Sequence, residues 1–119
     1  GVLFTHNEGY STMCGHGIIG IATAAVETGF VSAVAPETVI RIDTPAGLVT
    51  AHARTSGGRV QSVYFHNVPS FVLDRDQRVD VPDLGTIRYD LAFGGAFYAF
   101  VQAEEALVSN TPGDFRLCQ

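Results

Sequence analysis

Basic residues are scarce and nowhere clustered. Lys and Arg together number 7 among 119 residues, against 12 Asp and Glu, for a net charge of −5. A protein that grips nucleic acid or an anionic membrane concentrates cations on one face, so neither is an expected partner. Long apolar runs are missing too, and the longest is too short to span a bilayer. No basic-then-apolar-then-small segment marks a signal peptide. Cysteine occurs twice, as Cys14 and Cys118. One bridge is open on arithmetic, but the two contexts differ and nothing else looks secretory, so a reduced, cytoplasmic setting is expected. Neither an internal repeat nor a low-complexity linker is visible. Charge is also absent locally: between Glu8 and Glu27 there is no Asp, Glu, Lys or Arg.

What remains is 46% hydrophobic and 16% charged, enough to bury a core in one small domain. The opening Gly1-Val2-Leu3-Phe4 reads like the inside of a strand, which predicts a piece of a longer protein. Val2–His6 is expected as a short strand and Asn7–Thr12 as a polar loop. Ile18, Ile21, Ala22, Ala25 and Val26 keep the spacing of one helical face, so Ile18–Thr28 is expected as a helix, apolar nearly all round and buried on most sides. Gly29 suits its C′ position. From Glu37 onward strands and turns alternate. Thr38–Asp43 and Leu48–Arg54 flank a turn at Thr44-Pro45-Ala46-Gly47. Ser56-Gly57-Gly58 turns the chain again, and Arg59–Asn67 and Ser70–Leu73 are strands around Pro69. Asp74–Arg78 is charged and expected to be exposed, and Val79-Asp80-Val81 leads into Pro82-Asp83. Thr86–Leu91 alternates with period two, Gly94-Gly95 breaks it at a bend or close approach, and Ala96–Val101 resumes. Gln102–Val108 is expected as a short helix with Glu104 and Glu105 on its solvated face. Asn110–Gln119 carries no pattern. The fold class is therefore α+β, an antiparallel sheet wrapped around a central apolar helix.

The chemistry concentrates in Gly9-Tyr10-Ser11-Thr12-Met13-Cys14-Gly15-His16-Gly17. A thiol at a helix N-terminus meets unpaired N–H groups and the positive end of the dipole, which favour the thiolate. The same N–H groups bind carboxylates, and Gly15 and Gly17 carry no side chain to block the approach. Thiolate and carboxylate cradle together suggest abstraction of a proton α to a carboxylate, without metal or organic cofactor. The plainer alternative is that Cys14 is a small buried hydrophobe. A Cys14/His16 nucleophile–base pair is disfavoured because side chains two apart near a helix start do not face each other. Zinc is poorly supported: His6, His16, His52 and His66 are far apart, and Cys14-Gly15-His16 is not a standard ligand pair. Cys118 is expected to be an incidental thiol.

The stretch from His6 to Ile19, centred on Met13-Cys14-Gly15-His16-Gly17, resembles a signature of the proline racemase superfamily. Phe93-Gly94-Gly95-Ala96-Phe97-Tyr98-Ala99 resembles another. Thr44-Pro45-Ala46-Gly47 and Phe65-His66-Asn67-Val68-Pro69-Ser70-Phe71 fall between them in the family's order. The likeness runs from Gly1 to about Val101. It implies a diaminopimelate-epimerase-like fold of two similar lobes, with residues 1–119 one partial lobe and the second absent. The family's site lies between the lobes. Cys14 would be its catalytic cysteine, while Gly15 and His16 would bind substrate, His16 also lying near the ring substituents. The substrate class would be an imino acid, proline or hydroxyproline, and a homodimer stays open for the full-length protein.

In family racemases and epimerases the other lobe supplies a second cysteine in a Cys-Gly-Thr motif. Cys118 is followed by Gln119, so that role does not transfer. The absent residue decides the reaction: a second cysteine gives racemisation or 2-epimerisation, and a threonine goes with trans-3-hydroxy-L-proline dehydratases. Asn7-Glu8-Gly9-Tyr10-Ser11-Thr12 and Ile18-Ile19 resemble the dehydratases more than the 4-hydroxyproline epimerases. Outside that class stand a degenerate imino-acid-binding module, for which a thiol is superfluous, and a cysteine hydrolase, which requires an acyl-enzyme.

Overall fold

The computed structural model describes residues 1–109 and 111–113; Cys118 lies outside them. The described chain is α+β, with one helix and eight antiparallel strands. It divides into two compact units, Gly1–Pro69 with Gly94–Ala96, and Ser70–Phe93 with the described residues from Phe97 onward.

The first unit opens with a hairpin of β1 (Phe4–His6) and β2 (Gly9–Ser11). Half of the polar loop expected over Asn7–Thr12, Gly9–Ser11, is thus strand. Only Asn7 and Glu8 form the connection, where the Glu8 N–H donates to His6 Nδ1 at 3.3 Å. Helix α1 (Gly15–Glu27) follows and begins three residues before the apolar face does. The Ile18 N–H donates to the Cys14 carbonyl at 2.9 Å, closing the first turn through Gly15, His16 and Gly17. Gly29 ends it in the left-handed conformation (φ 75°), as a C′ glycine does.

Strands β3 (Glu37–Thr44), β4 (Gly47–Ser56) and β5 (Arg59–His66) form a sheet in that order. Pro45-Ala46 and Gly57-Gly58 are its two-residue hairpin loops. Both Gly57 and Gly58 have positive φ, which the tight primed turn requires. Period-two alternation sends Val49, Ala51 and Ala53 of β4 into the core. Helix α1 lies on β4 and β5 and buries Ile18, Ala22 and Val26, one residue per turn. Among the described residues the helix is covered on one face only: Ile19, Gly20 and Ala24 are exposed.

On the other face of this sheet His52 of β4 stacks on Tyr64 of β5, with ring centroids 4.6 Å apart and 7° between planes. Glu37 of β3 gathers that face. Its carboxylate meets His52 Nδ1 at 2.9 Å, the Tyr64 hydroxyl at 3.1 Å and Arg54 Nε at 3.5 Å.

The second unit is a sheet of β6 (Phe71–Val81), β7 (Gly85–Phe93) and β8 (Phe97–Val101). Sequence alone predicts a short strand to Leu73 and then a charged exposed stretch. The charges are exposed, but β6 runs on through them to Val81. It is an edge strand, where charged side chains are at home. Two irregularities in its pairing absorb the misfit: at one, Asp76 turns left-handed (φ 52°) and its N–H donates to the Asp90 carboxylate at 2.9 Å. Phe71, Phe93 and Phe97 cluster across the three strands. The helix expected over Gln102–Val108 does not form. Backbone bonds there return three, four, three and five residues, and Leu107 has φ 56°. Glu105 is not simply solvated as expected: it is half-buried, accepts the Arg88 N–H at 3.0 Å and lies 3.4 Å from the Arg88 guanidinium. No helix among the described residues is long and apolar enough to cross a membrane.

The Glu37 cluster makes stability depend on pH. The His52 hydrogen bond does most to hold the Glu37 carboxyl below its ordinary value of 4.5; partial burial opposes it, and Tyr64 and Arg54 add to the lowering. A carboxyl with a depressed folded-state pKa stabilises above the ordinary value, and the contribution disappears as pH falls through the folded one. The melting temperature of Glu37→Gln should therefore lie below that of the native protein at pH above 4.5. The gap should close on further acidification, and a gap constant into acid would contradict this.

Candidate active site

Cys14 is the N-cap residue of α1, with extended backbone angles of φ −144° and ψ 109°. Its side chain caps nothing, and the first turn holds no acidic residue. The first N–H groups of a helix have no partner within it, so the start of α1 presents donors and the positive end of the dipole without a neutralising side chain. Cys14 is a half-buried free thiol, not the fully buried hydrophobe of the plainer reading.

The structure corrects one expectation here. Cys14 Sγ lies 3.3 Å from His16 Nε2 and 3.6 Å from Nδ1, so the two side chains do meet. The spacing rule that separates residues i and i+2 holds within a helix, and Cys14 is one residue outside it. The near-equal distances place the sulfur beside the ring and off the in-plane axis of either nitrogen. A nucleophile–base pair needs that axis, so the contact is one of proximity.

The glycines also do more than leave an approach open. A Cβ at Gly17 would lie 2.8 Å from the Phe4 ring and 3.3 Å from Cys14 Sγ. One at Gly15 would lie 3.2 Å from the Phe65 ring. The space that side chains would fill is thus taken by aromatic rings from β1 and β5. These two phenylalanines went unread as site residues; Phe4 is marked only by membership of an apolar strand, and Phe65 also by its place in the family-like Phe65–Phe71 stretch.

Three more segments converge on the residues just before Cys14. The Ala46 N–H donates to the Thr12 carbonyl at 3.2 Å. Thr12 Oγ1 donates to the Gly95 carbonyl, and Asn67 Nδ2 donates to the Gly94 carbonyl at 2.7 Å. Gly95 has φ 113°, and a Cβ there would sit 2.8 Å from Met13 Cβ. The close approach predicted at Gly94-Gly95 is made onto the residue next to the thiol. Of the histidines, His16 alone contacts Cys14; His52 and His66 belong to the outer face of the β3–β5 sheet, and His6 to the first hairpin. Among the described residues no three His, Cys, Asp or Glu side chains come together as metal donors.

A family model described as proline racemase matches residues 1–114. The chain belongs to the proline racemase family. It is 53% identical over 105 residues to the trans-L-3-hydroxyproline dehydratase of Xenopus tropicalis, covering 87% of this chain and 30% of that protein. It is 52% identical over 101 residues to the 3-hydroxyproline 2-epimerase of Burkholderia multivorans, covering 85% and 30%. Among solved structures, a hydroxyproline epimerase from Agrobacterium vitis with bound trans-4-hydroxy-L-proline superposes with a TM-score of 0.85 at 36% identity, over 94% of this chain and 33% of that one. The diaminopimelate-epimerase-like lobe implied by the sequence resemblance is therefore the fold of this proline racemase family chain. The chain spans about a third of the length of the relatives it matches.

Gly17→Ala should be costly in spite of its small size. The added methyl overlaps Phe4 and presses on the thiol, an overpacking of the kind that costs about 1–3 kcal/mol. Thermal melts should show the loss, and a neutral Gly17→Ala would mean that the Phe4 ring gives way.

Proposed function

We propose that this chain is the cysteine-bearing lobe of a two-lobed, cofactor-independent cytoplasmic enzyme acting at Cα of proline or hydroxyproline. The favoured reaction is dehydration of trans-3-hydroxy-L-proline. The observation that carries the reading is the placement of the Cys14 thiol at the uncapped, acid-free start of α1. The Gly15 and His16 N–H groups would receive the substrate carboxylate. The thiolate would take the α-proton while those donors stabilise the charge that moves onto the carboxylate. In dehydration the Cα electron pair forms a C2=C3 double bond as the C3–O bond breaks, and the hydroxyl leaves as water with the proton. The resulting enamine tautomerises, losing a proton at N and gaining one at C3, to a cyclic imine acid. His16, beside the sulfur, would stand near the ring substituents.

The relatives at 53% and 52% identity are named for different reactions, so racemisation or 2-epimerisation is the alternative. In either of those a second acid outside this chain returns a proton to the opposite face. The preference for dehydration rests on the residues around the motif, Asn7–Thr12 and Ile18-Ile19.

The test is incubation of the full-length protein with trans-3- and trans-4-hydroxyproline in deuterated water. Imine product from the 3-isomer supports the dehydratase; deuterium at Cα with inverted configuration supports the epimerase; binding without either leaves the imino-acid-binding module. Cys14→Ser should reduce turnover by about 10²- to 10⁴-fold or more, the scale of a general base. Native exchange rates in that variant would sink the proposal.

A further inference from the structure

We propose that Thr12 and Asn67 are positioning residues for Cys14, acting through the Gly94–Gly95 backbone. The inference rests on the role proposed for Cys14 and adds residues that do not touch the thiol. Thr12 and Asn67 donate to consecutive carbonyls, Gly95 and Gly94. Together they fix two peptide units that glycine would otherwise leave loose, since Gly carries the widest backbone freedom. Gly94 itself has nothing within 4 Å of where its Cβ would be, so side-chain packing does not hold it.

The clamp matters because of what rests on it. Gly95 is buried and presses on Met13, with no room for a Cβ between them. Met13 precedes Cys14, and Cys14 is held in an extended conformation just before the helix. The thiol is therefore fixed from both sides. On the helix side the Ile18 N–H holds the Cys14 carbonyl. On the strand side Met13 leans on Gly95. With the clamp released, the strand side still has the Ser11 hydroxyl on the Met13 carbonyl, 2.8 Å away, but the sulfur is set less firmly. Thr12 is tied in twice, because its carbonyl accepts the Ala46 N–H while its hydroxyl reaches Gly95.

The test uses Thr12→Val and Asn67→Ala in the full-length protein, with Thr12→Ser as the conservative variant. Folding is checked by circular dichroism and gel filtration. Each disruptive variant should lower kcat by about ten- to a hundredfold with KM little changed, the scale that about an ångström of misplacement costs. Thr12→Ser should recover most of the loss. Iodoacetamide should alkylate Cys14 at a rate several-fold different from native in the Val and Ala variants and near native in Thr12→Ser. A lowered melting temperature with native kcat and native alkylation rates would overturn the proposal and leave the clamp a stabilising feature only. The alkylation arm reads the thiol without turnover, so an inactive Cys14 role and an irrelevant clamp give different results.

Discussion

The hydrogen bond from the Ile18 N–H to the Cys14 carbonyl at 2.9 Å sets the frame for everything near the thiol. It makes residue 14 the boundary, with its carbonyl in the helix and its φ and ψ outside. One residue further into the helix, the side chain would point back along the preceding turn and the first free N–H groups would belong to other residues. At the boundary, the sulfur makes no bond to those N–H groups and lies close enough to His16 to touch it. The same boundary requires glycine at 15 and 17, because the first turn is driven close against Phe4 and Phe65. The setting of the thiol and the packing around it are therefore fixed by a single choice of where the helix begins.

Four stretches far apart in sequence form one node around that boundary. The Pro45-Ala46 hairpin loop reaches Thr12, and Val68 Cγ1 lies 3.1 Å from the Cβ position of Gly47. Asn67 holds Gly94, and Thr12 holds Gly95. Sheet register brings these together. Two-residue loops fix how β3, β4 and β5 pair, and a slip of one residue would turn each side chain to the opposite face. Residues 67–68 follow β5 directly, so their placement inherits the precision of the sheet. Hydrogen bonds to backbone carbonyls suit this task, since they fix the chain and leave the side chains of neighbouring residues free.

The α+β class, the helix face and most strand boundaries were legible because periodicity and turn chemistry are local. Ile18, Ala22 and Val26 are four apart and lie on one buried face. Gly57-Gly58 turns where it must. The readings that failed were decided by tertiary context. The strand expected to stop at Leu73 runs on through the exposed charges of Asp74–Arg78, because an edge strand tolerates them. Glu104 and Glu105 sit in a pattern with helical propensity, but Glu105 is engaged by Arg88. At the site, Cys14 and its glycines were visible as a motif. The Cys14–His16 contact was missed because it depends on which of two adjacent residues starts the helix, and boundaries are the least local-pattern-bound feature of a helix. Asn67 and Thr12 lie in stretches that resemble the family, but the bonds they make were not legible, since a residue that bonds a distant carbonyl looks in sequence like any polar loop residue.

The start of α1 also departs from what stability alone would choose. A Ser, Thr, Asp or Asn at the N-cap is worth about 1 kcal/mol over a non-capping residue, and an acidic side chain in the first turn about 0.3–1 kcal/mol more. Here the N-cap is a cysteine that makes no capping bond, no acid follows, and two of the first three helical residues are glycine. Every one of these choices weakens the helix locally. The glycines answer to Phe4 and Phe65; the missing cap and the missing acid each remove something that would occupy or neutralise the free N–H groups. An Asp at residue 14 would bond those groups itself, and a Glu in the first turn would compete for the same positive end. Local disagreement with the rules of helix design, inside an element whose remaining residues obey them, marks positions kept for another purpose. The sheet beneath Ile18, Ala22 and Val26 supplies the burial that lets the helix form without its caps.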